Sequence, residues 1–342
     1  MDKWLAVRDL ADGAAGVTGE ESSPPVLVVD LGATDWSDTS IMSAAVRALT
    51  EPSVVVIGVS DTALPAAAAD LLEHLTLTFA PGGPGRSWVA VPEVETAVAA
   101  VAATVVAVPR ASVTLAMLLR STARIPVRDG LQMESLAFST LQSGPEFAAW
   151  LGSRPRREVK PSGDVVGLAR DAGVLTITLN RPERRNAFGR EMRDRLIDAL
   201  ELAALDPSVE QVVLRGAGPA FCSGGDLDEF GTFADPATAH ILRTARNAGR
   251  AVHVIRDRVR AVLHGPCIGA GIEVPAFAGR VEAADDASFR LPELSMGLIP
   301  GAGGTVSITR RIGPWRMAYL ALTGTPIDVA TAIDWGLVDA GK

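Results

Sequence analysis

Hydrophobic positions along this chain change period in a regular order. Val174 to Leu179 is a short apolar run closed by Asn180-Arg181-Pro182, which reads as a buried strand and a turn. Residues 189–205 take a helical spacing, with Met192, Leu196, Leu200 and Ala203 on one face. A strand over 210–215, a glycine-rich loop, a helix over 237–256, a strand over 259–263 and a helix over 270–279 follow. Residues 303–336 read as helical throughout, with turns at Gly313-Pro314 and Gly324-Thr325-Pro326. Alternating strand and helix predicts an α/β fold whose partly parallel sheet is covered by helices.

The first half repeats part of that plan. Val26 to Leu31 predicts a strand, 38–50 a helix and Val54 to Val59 a second strand. The helix ends match: Glu51-Pro52-Ser53-Val54 here, Asp206-Pro207-Ser208-Val209 later, each before a valine-rich strand ending in glycine (Gly58, Gly216). Matching order and matching ends suggest an internal duplication. The first copy then departs, with 64–80 read as helical, 81–88 as a Pro/Gly loop and 92–152 as mostly helical. The polar, proline-containing stretch 153–164 reads as a boundary between units 1–158 and 159–342.

Composition narrows the classes. The chain has 342 residues, long enough for two units and a sizeable core, and 48% are hydrophobic. A net charge of −8 argues against nucleic acid or an anionic membrane as the main partner. Cys222 and Cys267 are too few for a disulfide framework, and the N-terminus does not read as a secretory leader, so a cytoplasmic setting is expected. The most apolar stretch, Thr96 to Val108, is too short to span a bilayer, so no membrane span is expected. The four histidines make no metal-ligand spacing with the cysteines, so no metal is expected.

Three short segments carry the candidate chemistry. They are Phe221-Cys222-Ser223-Gly224-Gly225-Asp226, then Gly269-Ala270-Gly271-Ile272-Glu273, then Leu291-Pro292-Glu293 leading into Pro300-Gly301-Ala302-Gly303-Gly304. Two loops of small residues bare backbone N–H groups, and two carboxylates follow, a combination suited to holding a carbonyl oxyanion and moving protons beside it. Plainer roles compete. Glu273 could merely balance a helix dipole and Glu293 merely sit in a loop. Cys222 reads as a packed thiol and Asp226 as a loop organiser. Gly301 to Gly304 is not followed by Gly-Lys-Ser/Thr and so is no phosphate loop.

Taken in order, these segments resemble the crotonase (enoyl-CoA hydratase/isomerase) superfamily over about 163–340. Leu179-Asn180-Arg181-Pro182 with Asn186-Ala187, Leu322-Thr323-Gly324 and Gly336-Leu337-Val338-Asp339 belong to the same pattern. The resemblance implies a crotonase-like ββα spiral core with helical elements, preceded by a partial, degenerate copy. It implies an acyl-CoA thioester substrate, no cofactor beyond the coenzyme A of the substrate, and a homo-oligomer, trimer or hexamer. By position, the backbone N–H groups of Gly225 and Ala270 would hold the thioester oxygen, and a helix opening at Ala270 would add its dipole. Losing one such donor typically costs about 3–4 kcal/mol in the transition state. Arg184, Ala187, Ser223, Asp226, Leu227 and Gly271 fall at substrate- or CoA-binding positions.

Family hydratases use two glutamates, matched here by Glu273 and Glu293. Together they would hold a water, Glu273 taking its proton for attack at C3 and Glu293 supplying the proton to C2. The implied activity is hydration of a 2-enoyl-CoA, or the reverse. Isomerisation, hydrolysis of a thioester or C–C bond, and a non-catalytic acyl-CoA-binding subunit of a hetero-oligomer remain alternatives.

The chain also departs from the family pattern. His264 stands where Asn is usual, Pro266 follows the next glycine, Pro275 lies two residues after Glu273, and Arg280 replaces a common acidic residue. The family's usual closing helices do not follow Asp339-Ala340-Gly341-Lys342; residues 92–155 of the first half resemble them instead. Those helices are expected either to cover the site, from the same chain or a neighbour, or to form an independent helical unit that serves assembly.

Overall fold

The computed structural model describes residues 4–13, 24–50, 52–155, 163–233 and 235–340. Most of the expected boundary 153–164 lies outside them.

The first half opens with β1 (Leu5–Ala6), α1 (Val7–Ala11), β2 (Val26–Asp30), α2 (Thr39–Ala48) and β3 (Val55–Val59). It continues through a 3-10 turn (Ala66–Ala68) into α3 (Ala69–His74) and β4 (Leu77–Phe79). The four strands pair in parallel in the order β1-β2-β3-β4. Alternation sorts the faces of β3. Val55, Ile57 and Val59 join the main core of the molecule, while Val54 and Val56 join a smaller core with Leu10, Leu27, Val29, Leu31 and Leu72. The helical expectation for 64–80 is corrected. Helix ends at His74 and Leu77–Phe79 is a strand, because a segment buried on both faces shows no alternation to distinguish it from a buried helix.

Four helices then run almost end to end: α4 (Val94–Ala107), α5 (Pro109–Thr122), α6 (Val127–Gln142) and α7 (Pro145–Gly152). Pro at the first position starts both α5 and α7, where its missing N–H costs nothing. Helices α4 and α5 are apolar but meet at 110°, and no single helix among the described residues is long and apolar enough to cross a membrane.

In the second half come β5 (Val166–Asp171), β6 (Val174–Leu179), α8 (Arg190–Leu205), β7 (Gln211–Gly216), α9 (Pro236–Ala245), α10 (Ala248–Val254), β8 (Val259–Leu263) and β9 (Pro266–Ile268). They are followed by α11 (Ala270–Glu273), β10 (Arg280–Ala283), β11 (Ser288–Arg290), α12 (Gly304–Ile312), α13 (Pro314–Thr323), β12 (Ile327–Asp328) and α14 (Val329–Trp335). One sheet has the order β10-β8-β7-β6-β5, parallel except for the β5–β6 hairpin, and a smaller one the order β12-β11-β9. The unit β6–α8–β7 repeats β2–α2–β3, strand, helix and parallel strand, as a partial copy requires.

Three helical expectations change. The helix over 237–256 is broken at Arg246-Asn247: Asn247 accepts from the N–H of Arg250 (2.8 Å) and starts α10, while Arg246 ties to Asp194 and Asp198. The helix over 270–279 is one turn, because Pro275 brings no N–H; a 3-10 turn (Pro275–Phe277) follows and Ala278 is extended. The stretch 303–336 is interrupted by β12, which pairs antiparallel with β11.

One core joins the halves. Phe79 on β4 meets Tyr319 on α13 edge to face, with centroids 6.1 Å apart. Gly130 on α6 lies against Val306 on α12 so closely that a Cβ would stand 2.9 Å from a valine methyl. The Thr122 hydroxyl donates to the carbonyl of Thr305 (2.7 Å).

Candidate active site

Strand β7 ends at Gly216, and the chain crosses to the loop 221–226. There Cys222 forms a bridge pair with Cys267 of β9, and Ile268 N–H donates to the Cys222 carbonyl (3.0 Å). This seam brings the two small-residue loops side by side. Gly271 presses on the Cys222 carbonyl with no room for a Cβ. Both thiols are buried, and burial pushes the Cys222 thiol up to about 12, which suits packing and not nucleophilic attack.

Gly225 and Ala270 both face a cavity of about 410 Å³. Among the described residues, neither N–H donates to a protein acceptor, while those of Ser223, Asp226, Gly269 and Ile272 do. Two unpaired donors therefore border one space, as an oxyanion site requires. The expected contribution of a long helix at Ala270 is corrected to that of a single turn, so the local N–H groups carry the positive potential.

The loop 223–228 is tied down by Asp226. Its buried carboxylate accepts from Arg181 (2.6 Å), Arg184 (3.2 Å) and the N–H of Asp228 (3.2 Å), and these hold it below its ordinary range against burial. Ser223, Asp226 and Leu227 line the cavity. Arg184, Ala187 and Gly271 do not; the Arg184 guanidinium is engaged by Asp226 and Asp228.

Glu273 and Glu293 both line the cavity. Glu273 accepts at Oε2 from the N–H groups of Ala302 (2.7 Å) and Gly304 (2.9 Å), which leaves Oε1 free. Burial nevertheless pushes its carboxyl up to about 7. Glu293 starts a 3-10 turn (Glu293–Met296), and its buried Oε2 has no hydrogen-bond partner. Burial, then the charge of Glu273, then that of Glu134 push its carboxyl well above the ordinary range.

Glu134 was not among the expected site residues. It comes from α6 in the first half, is 1% exposed, and accepts from Gly303 N–H (2.7 Å), Thr305 N–H (3.0 Å) and the Thr305 hydroxyl (2.7 Å). Burial and the charge of Glu273 push it up to about 8 against those donors. Its sequence signal was a charged residue on the apolar face of an amphipathic helix, in step with Leu131, Phe138 and Leu141. Glu134 itself does not line the cavity, but Phe138, Gln142, Trp150 and Arg154 of the first half do.

The sequence model for enoyl-CoA hydratase/isomerase matches residues 169–341. The chain belongs to the enoyl-CoA hydratase/isomerase family. It is 33% identical over 177 residues to the probable enoyl-CoA hydratase echA8 of Mycobacterium bovis, covering 51% of this chain and 67% of that protein. It is 34% identical to the 2,3-dehydroadipyl-CoA hydratase of Escherichia coli K12 (50% of this chain, 66% of that protein) and 32% identical to the enoyl-CoA isomerase/hydratase fer4 of Mycosarcoma maydis (49% and 64%). The match thus spans slightly less than two thirds of the last two relatives. Among solved structures, the enoyl-CoA hydratase of Thermoplasma volcanium aligns at 32% identity over 52% of this chain and 71% of that one, with a TM-score of 0.49. In this member of the family, the helices facing the cavity from 127–152 precede the matched region in sequence.

Proposed function

We propose that this chain adds water across the 2,3 double bond of a 2-enoyl-CoA, or removes it in reverse. The observation that carries the reading is the meeting of two carboxyls beside two unpaired N–H groups. The thioester oxygen accepts from Gly225 and Ala270, which draws electron density from C3 and stabilises the enolate. A water held between Glu273 and Glu293 attacks C3 and passes its proton to Glu273. Glu293 delivers its proton to C2 as the enolate collapses, so one H and one OH are added and both carboxyls are reset by proton exchange. The environments support this division of labour. Two N–H donors favour the charged form of Glu273, the base, while a buried oxygen with no donor favours the protonated form of Glu293, the acid. A homo-oligomer, trimer or hexamer, in the cytoplasm is part of the same reading.

The test is loss of the conjugated-enoyl absorbance with crotonyl-CoA and bulkier 2-enoyl-CoAs, for wild type, Glu273→Gln and Glu293→Gln. Hydration abolished by either substitution supports the two-carboxyl mechanism. Turnover to an isomer or free CoA points to another enolate reaction in the family. Binding of acyl-CoA without any turnover points to a non-catalytic subunit.

A further inference from the structure

We propose that Glu134 is a positioning residue for the Glu273–Glu293 pair, supplied to the site by the first half of the chain. The inference rests on the acid–base reading above and adds a third carboxyl to it. It stands on an alternation. Four successive N–H groups of one loop donate in turn to two carboxyls, one from each half of the chain: Ala302 to Glu273, Gly303 to Glu134, Gly304 to Glu273 and Thr305 to Glu134, at 2.7, 2.7, 2.9 and 3.0 Å. The loop is therefore a spacer between the two side chains. It cannot move toward one carboxyl without drawing donors away from the other.

The surroundings leave the spacer no slack. A Cβ on Gly304 would stand 2.6 Å from the Glu273 Cγ, and one on Gly301 2.5 Å from the Phe138 ring, one turn along α6 from Glu134. Gly303 has φ +110°, so its N–H reaches Glu134 in a conformation that side chains rarely adopt. Because Glu273 is held at Oε2 alone, the position of the spacer decides where Oε1, the oxygen facing the water, points.

Glu134 also acts through charge. The charged groups facing it are Glu273, Glu293 and Arg243. Arg243 is committed to α6, stacked 4.4 Å over Phe138 and donating to Ser135, Ser139 and Gln142. Three donors serve Glu134, two serve Glu273 and none is present at Glu293 Oε2, so Glu293 is the least able of the three to carry negative charge and is the one that keeps its proton. A plain helix cap at α12 would give the same stability contribution but no effect on proton transfer.

The experiment compares wild type, Glu134→Gln and the milder Thr305→Val, which removes one donor to Glu134 and keeps the backbone. Three readouts are taken: thermal melting, the pH profile of kcat and KM for crotonyl-CoA, and carboxyl titration by 13C NMR on glutamate-labelled protein without substrate. The Glu273 and Glu293 signals are assigned by their glutamine variants. For Glu134→Gln the expected result is a kcat lower by about 100-fold, the scale for misplacing a reacting group, with KM less affected. The alkaline limb and the Glu293 titration should move to lower pH, since the negative charge that Glu134 takes on above about pH 8 is gone. Thr305→Val should lower kcat less. The proposal is overturned if kcat per folded molecule and the carboxyl titrations of both variants match wild type, even where melting drops. If Glu134→Gln does not fold, Thr305→Val decides by the same readouts. If wild type hydrates nothing, the hydratase reading falls, while the substrate-free titration still decides the role of Glu134.

Discussion

Glu273 and Glu293 meet over Gly269. The Oε1 of Glu273 lies 3.7 Å from the place a Cβ on Gly269 would take, and the Oε1 of Glu293 would collide with it. The glycine has φ +51° and ψ −121°, a conformation that other residues avoid. The gap between the two acids thus exists because this residue has no side chain.

Gly269→Ala should accordingly cost roughly 1–3 kcal/mol of backbone strain and push Glu293 out of line. Urea denaturation would measure the first effect and kcat with crotonyl-CoA the second. A variant with both at wild-type values would mean the gap does not hold the reacting water.

Stability should fall as pH rises. Burial pushes the Glu273 and Glu134 carboxyls up to about 7 and about 8, from an ordinary value of 4.5, and raises that of Glu293 as well. A carboxyl raised on folding contributes stability that is full below its unfolded value and is lost as pH climbs through its folded value. The decline should therefore run from about pH 4.5 to beyond about pH 8. Denaturation midpoints at several pH values test this, and Glu293→Gln should flatten the slope.

Activity should rise with pH through about 7 as Glu273 ionises, then fall where Glu293 loses its proton. A pH profile of kcat shows the two limbs. In Glu273→Gln the residual rate should lack the lower limb.

Asp226→Asn should leave Arg181 buried and without its carboxylate, since their side chains are 2% and 10% exposed and 2.6 Å apart. Breaking such a pair from one side costs about 3–5 kcal/mol. The loop bearing Gly225 should loosen with it, so acyl-CoA affinity by calorimetry should fall together with the denaturation midpoint. Adding Arg181→Met should recover part of the stability.

Removing residues 1–158 should leave a protein that does not stay folded and active. It would strip Glu134 from Gly303 and Thr305 and expose the face of α12 that Gly130 covers. A soluble, fully active 159–342 would show that the first half is dispensable. Phe138→Ala in the full chain is the milder test, with about 3–5 kcal/mol expected for a buried phenylalanine.

Several elements were legible from local pattern. Helix α8 is amphipathic, with Met192, Leu196, Leu200 and Ala203 all buried, so its period shows in the sequence. Strands β2, β3, β6, β7 and β8 are apolar runs between turns. Strands β9, β11 and β12 were not legible. They are two or three residues long and exist because of partners elsewhere: Ser288 opposite Pro266 and Asp328, Phe289 opposite Cys267 and Ile327. The break between α9 and α10 was hidden for a similar reason, since the residues at the break are polar and the side chain of Asn247 selects the new start.

The sequence by itself determined which chemistry is available. Small residues at 224–225 and 269–271 permit close backbone approach, and glutamates stand at 273 and 293, because glycine conformation and side-chain type are local properties. Only the tertiary structure decided how these groups face one another and what state they are in. The Glu134 contact to Gly303 spans 169 residues, and no local period records a contact of that reach. Burial, too, belongs to the whole assembly. Desolvation by packed helices raises the three carboxyls, and an isolated segment of chain, bathed in water, would show none of it.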